Sequence, residues 1–120
     1  MKHKTSELTG ALLDAAAGKA ADLIGEVRDW GGKGLMVFQL ASGLPFRAST
    51  DWSVGGPIIE RELIELTNTE KGWYAAVNPW AYYRKSVIVA DPPDAEAPTP
   101  LIAAMRAFVA SKFGDEVELP

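Results

Sequence analysis

The C-terminal stretch "TPLIAAMRAFVASKFG", Thr99 to Gly114, constrains the fold more than any other part of this chain. Thr99 can accept a backbone N–H as a helix cap, and Pro100 suits the first helical position, where its missing N–H would have no partner anyway. Gly114 supplies the stop. Leu101, Ile102, Met105, Phe108, Val109 and Phe113 make a wide apolar face, and alanines fill most of the rest. Such coverage exceeds the single stripe of an ordinary surface helix, so the helix needs more than one thing to pack on.

The start of the chain offers a second helix of the same kind. Leu8, Leu12, Ala15, Ala16, Leu23 and Ile24 recur at helical spacing, Thr5 or Ser6 can cap the first turn, and Glu7 complements the dipole. Glu26 to Gly34 reads as a polar turn, and Leu35–Leu40 as a buried strand. Around "DWSVGGP", Thr50 or Ser49 can cap a single helical turn that Gly55 ends, while Gly56 before Pro57 favours extended backbone. Ile58 to Thr67 then reads as an interrupted strand, Asn68–Gly72 as a hairpin loop, and Trp73–Val77 as the return strand. Tyr82–Ala90 is the expected third strand of this meander. Asp91–Pro100 holds half of the prolines and reads as a stiff linker, and Asp115–Leu119 as a short edge strand or tail. The expected architecture is α+β: an antiparallel β-meander packed against N-terminal and C-terminal helices, in one domain spanning residues 1–120. The alanine-rich terminal helices also read as a candidate homodimer interface.

Composition narrows the function classes. The chain has 120 residues, enough to bury roughly two thirds of its unfolded surface without staples. It has no cysteine, which removes disulfides, thiolate metal sites and Cys nucleophiles. A net charge of −4 with no basic block disfavours nucleic acid as a partner. No apolar run approaches the roughly 18 residues of a membrane span, and the first ten residues lack a signal peptide's apolar core. A cytoplasmic protein with no cofactor and no metal is the expectation.

Three blocks carry a resemblance: "KTSELTGALLDAA", "STDWSVGGPIIERE" and "PTPLIAAMRAFVASKFGDEVELP". Together they resemble the phage NinX-like family, small proteins of phages and prophages, over about half the chain. The long tail block is the most specific. Residues 27–44 and 82–96 match no block. The resemblance implies an accessory protein at work in a bacterial host cell, and it brings no reaction, cofactor or catalytic residue.

Among candidate sites, Asp51, Trp52, Gly55, Gly56 and Pro57 stand out. As a binding loop, Gly-Gly would let a partner approach the backbone, Trp52 would offer a stacking face, and Asp51 would accept a hydrogen bond. As plain structure, the same residues make a capped turn with Trp52 plugging the core edge. Neither the Rossmann nor the P-loop spacing is present. The run Trp73, Tyr74, Trp80, Tyr82, Tyr83, Arg84 and Lys85 sets rings beside cations, which suits a nucleotide-like ligand or simply a core. Glu60, Glu62 and Glu65 with Asp51 read as solvated carboxylates, His3 has no partner of its kind, and no serine sits in a nucleophile elbow. Arg106, mid-helix among apolar residues, reads as a brace, with Asp14 as one possible partner, or as an anion grip. The leading expectation is a non-enzymatic protein that binds a host or phage component through the DWSVGGP loop, with Arg84 and Arg106 as weaker additions. The second is a small nucleotide- or metabolite-binding protein that sequesters or hydrolyses its ligand.

Overall fold

The computed structural model describes residues 1–79 and 94–120. It has three helices, α1 (Gly10–Ala20), α2 (Trp52–Arg61) and α3 (Pro100–Phe113). The strands are β1 (Lys2–Lys4), β2 (Gly25–Asp29), β3 (Met36–Leu40), β4 (Ile64–Thr69), β5 (Gly72–Val77), β6 (Ala95–Ala97) and β7 (Glu116–Glu118). All pairings are antiparallel, in sheets ordered β1–β7, β2–β3 and β4–β5–β6. The fold is α+β. Among the described residues no helix is long and apolar enough to cross a membrane.

The C-terminal helix is the centre of the molecule. α3 touches α1, α2, β4, β5, β6 and β7, which meets the need for cover set by its wide apolar surface. Met105, Phe108 and Val109 are essentially solvent-free, and so are Ala103, Ala104 and Ala107. α1 packs on α3 and buries its own alanines Ala15, Ala16 and Ala17. Much of the apolar surface of the two terminal helices is thus covered within one chain, while Leu12 and Phe113 remain partly exposed. The ends of α3 follow the sequence: Thr99 Oγ1 accepts from Ile102 N at 3.2 Å, Pro100 opens the helix, and Gly114 ends it at φ 81°.

α1 is shorter than its periodicity suggests. It begins after Thr9, and Thr5–Glu7 form a 3-10 turn instead. Thr5 does not cap it; buried, it donates Oγ1 to Gly114 O at 2.8 Å and N to Asp115 O, tying the chain's start to the end of α3. The same contact zone holds the β1–β7 pair, so the terminal tail is a strand, with His3 opposite Val117. Beyond Ala20 the chain turns at Asp22, φ 60°, and Leu23 and Ile24 lie exposed rather than on the buried face. Gly18 lies against Phe38, and a Cβ there would meet that ring at 2.4 Å.

Three further expectations change, and a fourth is not reached. β2, residues 25–29, takes up the first part of the stretch from Glu26 expected as a turn; with only Val27 partly buried, no alternation announces the strand. The chain from Trp52 to Arg61 is one helix, so Ile58–Glu62 is not strand. Ala95–Ala97, inside the expected proline linker, pairs with β5 as the third strand. The expected strand Tyr82–Ala90 lies outside the described residues. The hairpin between β4 and β5 is as anticipated: Thr69 pairs with Gly72, which takes φ 134°.

Candidate functional site

The "DWSVGGP" stretch is the first half of α2, and almost every residue in it has a task in folding. Asp51 is the cap: its Oδ1 accepts from Ser53 N at 2.9 Å and from Ser53 Oγ at 2.6 Å. Those two bonds hold its carboxyl below the ordinary value. Gly55 is where the helix meets the rest of the fold. A Cβ on it would stand 2.4 Å from Ala48 O and 2.6 Å from Leu101 Cδ2. Gly56 has open space around it, and its use is local. A residue before proline is barred from helical backbone partly by its Cβ, and glycine has none. It lets α2 run on through Pro57, which lies inside the helix.

The expected loop is therefore a capped helix, and the Gly-Gly backbone is not an open cradle. Gly55 is buried, while Gly56 and Pro57 lie on the outer side near Trp52 and Ser53. Trp52 does not plug the core edge. It is 54% exposed, at the start of α2.

Arg106 is a brace, but not to a carboxylate. Its Nε donates to Leu8 O at 2.9 Å and its Nη1 to Glu96 O at 3.0 Å, joining the chain before α1 to β6 across α3. Partial burial lowers its pKa from the ordinary guanidinium value. Asp14, the expected partner, serves elsewhere: its Oδ1 accepts from Ser49 N at 2.9 Å, fastening α1 to the segment that leads into α2. Burial raises the Asp14 pKa, opposed by the Ser49 contacts and by Arg47. The Ser49 hydroxyl itself is buried without a hydrogen bond of ordinary geometry, yet it lies near enough to favour the charged carboxylate.

Asp51 and Glu60 are not spaced as a catalytic pair. They stand at opposite ends of α2, about 14 Å apart along its axis, beyond the spacing of a glycosidase pair. Glu62, expected beside Glu60 on a strand face, follows the helix and meets Arg61 at 3.0 Å and Lys112 at 3.9 Å. Among the described residues no cluster of His, Asp and Glu could hold a metal.

The family described as "Bacteriophage P22, NinX" matches residues 4–112 of the chain. The chain belongs to the bacteriophage P22 NinX family. No curated protein matches it. The NinX match spans residues 27–44 and 82–96, which carry no recognisable block of their own. Of the long tail block, residues 113–120 lie beyond it.

In this NinX chain the expected aromatic and cationic residues divide. Trp80, Tyr82, Tyr83, Arg84 and Lys85 lie outside the described residues. Trp73 and Tyr74 on β5 join Lys71 and Arg106 around an open cavity of about 290 Å³, with Glu96 on its wall. Arg106 also borders a second cavity of about 310 Å³, with Lys4, Asp94 and Asp115. Sequence reasoning had not included Lys71. Its place in the hairpin two residues before Trp73 was the available signal.

Proposed function

We propose that this NinX family chain is a non-enzymatic phage accessory protein that binds a protein of the phage or its host through the outer side of α2, centred on Trp52. The observation that carries the reading is the 54% exposure of Trp52 on a helix whose other unusual residues are committed to folding. An indole held on a rigid helix loses little entropy when covered, and tryptophan is enriched among residues that dominate protein interfaces. Ser53, Gly56 and Pro57 keep the surroundings low, so a partner can lie flat against the ring. None of the cavities described above reaches Trp52, which favours a surface over a small molecule. Tagged wild-type protein recovered from infected cells should bring a partner that Trp52→Ala loses, with the melting temperature unchanged. Equal recovery by both proteins would refute the reading.

A second reading rests on a separate observation, the cavity shared by Lys71, Trp73, Tyr74 and Arg106. Rings and cations around about 290 Å³ suit a small anionic aromatic ligand such as a nucleotide. Native mass spectrometry of gently purified protein tests it. An added mass matching a nucleotide, absent from Trp73→Ala, supports this reading, and a bare chain that also fails to take up added nucleotides removes it.

A further inference from the structure

The β2–β3 hairpin leaves one backbone edge open among the described residues. β3 has β2 on one side and a bridge from Gln39 to Pro45 on the other, whereas β2 pairs with β3 alone. Two bonds flanking the ladder set its parity: Ala41 N donates to Ile24 O at 2.8 Å, and Trp30 N to Leu35 O at 2.7 Å. Given the register Gly25–Leu40 through Asp29–Met36, Ile24, Glu26, Arg28 and Trp30 turn their backbone groups toward β3. Gly25, Val27 and Asp29 therefore present N–H and C=O outward. Such a row is a template for another strand. On the side-chain level Ile24, Glu26, Arg28 and Trp30 share one face. Ile24 is 80% exposed, Trp30 is 39% exposed, and Glu26 and Arg28 form an ion pair in the open.

This edge is complementary to itself. In antiparallel pairing centred on Val27, Val27 meets Val27 of a second copy and Gly25 meets Asp29. These are the outward-facing residues, so each such pair exchanges both hydrogen bonds. Between them, at the positions where side chains approach most closely, Glu26 stands opposite Arg28 and Ile24 opposite Trp30. A slide of two residues either way would set Glu26 against Glu26 or Arg28 against Arg28. A slide of one would mismatch the backbone donors and acceptors. Charge thus selects one register, and that register is twofold symmetric. Beside β2 runs an apolar groove of about 610 Å³, to which Leu12, Leu23, Val27, Phe38 and Leu119 contribute.

We propose that the protein forms a twofold homodimer by antiparallel pairing of its β2 edges, giving a continuous sheet in the order β3–β2–β2–β3. The site is distinct from α2, so this proposal and the Trp52 reading stand or fall separately. Analytical ultracentrifugation over a concentration series tests it. Wild-type protein should reach the dimer mass, and Glu26→Arg or Arg28→Glu alone should weaken the dimer roughly tenfold or more. The double variant Glu26→Arg/Arg28→Glu restores the opposition and should restore the dimer. Val27→Pro removes an outward N–H that β3 does not use, so it should abolish the dimer, with a circular dichroism spectrum of wild-type shape showing that the fold remains even though the Val27 packing is lost. A wild-type monomer at millimolar concentration would overturn the proposal. So would a dimer indifferent to the two single charge variants or to Val27→Pro, or a double variant as weak as the single ones.

Discussion

Gly55 lies so close to Ala48 that a Cβ on it would stand 2.4 Å from the Ala48 carbonyl oxygen. Backbone meets backbone there, and Leu101 of α3 closes the other side at 2.6 Å. The position of α2, and with it the direction in which Trp52 faces, depends on the absence of one carbon atom. Gly55→Ala should therefore lose about 1–3 kcal/mol of stability, as overpacked sites do. Urea unfolding with an unchanged midpoint would contradict the close contact.

Gly56 and Pro57 are coupled through the chain rather than through packing. In an open helical position, replacing glycine by alanine ordinarily gains about 1 kcal/mol. At Gly56 the following proline should cancel that gain, because the new Cβ would meet the pyrrolidine ring. Gly56→Ala alone is expected to be neutral or destabilising, whereas in a Pro57→Ala background it should stabilise by about 1 kcal/mol. A double-mutant cycle with no coupling would contradict this account of the Gly-Pro pair.

Arg106 satisfies two backbone carbonyls that no other described side chain reaches. Arg106→Ala should cost about 2–3 kcal/mol, since charge-assisted bonds are lost and both acceptors stay partly covered. Arg106→Lys should recover only part of this, because a single ammonium lacks the fork that spans Leu8 O and Glu96 O. Thermal melts of both variants check it, and a full rescue by lysine would argue against the brace.

Asp14 gives the stability a pH dependence of a stated sign. Burial raises its folded pKa above the ordinary 3.8, so between those two values the folded state holds more protons than the unfolded. Its protonation stabilises the fold below 3.8, and that contribution is lost as pH rises through the raised value. Asp14→Asn keeps an acceptor for Ser49 N but cannot titrate. The stability of wild type relative to Asp14→Asn should fall with rising pH across that window, measured by denaturant unfolding at a series of pH values. A flat difference would contradict the burial argument.

Some of this fold was legible in the sequence because the signals are local. Thr99, Pro100 and Gly114 mark α3 by capping chemistry alone, and Gly72 marks the β4–β5 hairpin by its positive φ. β2 was hidden because its residues are mostly exposed, so no apolar alternation was written into them. β6 was hidden among prolines. At α2 the local signals pointed the wrong way: Gly-Gly-Pro disfavours a helix, yet close packing against Ala48 and Leu101 needs a glycine, and the second glycine lets the helix pass the proline. Trp52 and Arg106 stood out by residue type and setting. The partners of Arg106 could not be read, because main-chain acceptors leave no mark in a sequence. Asp14, given to Arg106 in that reading, instead holds Ser49.

The proposed role of Trp52, unlike that of its neighbours, is to meet a partner. Quantitative capture from infected cells, comparing wild type with Trp52→Ala and with Leu44→Ala as a control at another exposed apolar residue, tests it most directly. Both variants should unfold within about 0.5 kcal/mol of wild type, since each alters the surface. One partner should be retained by wild type and Leu44→Ala and lost from Trp52→Ala. The same recovery from all three proteins would contradict it.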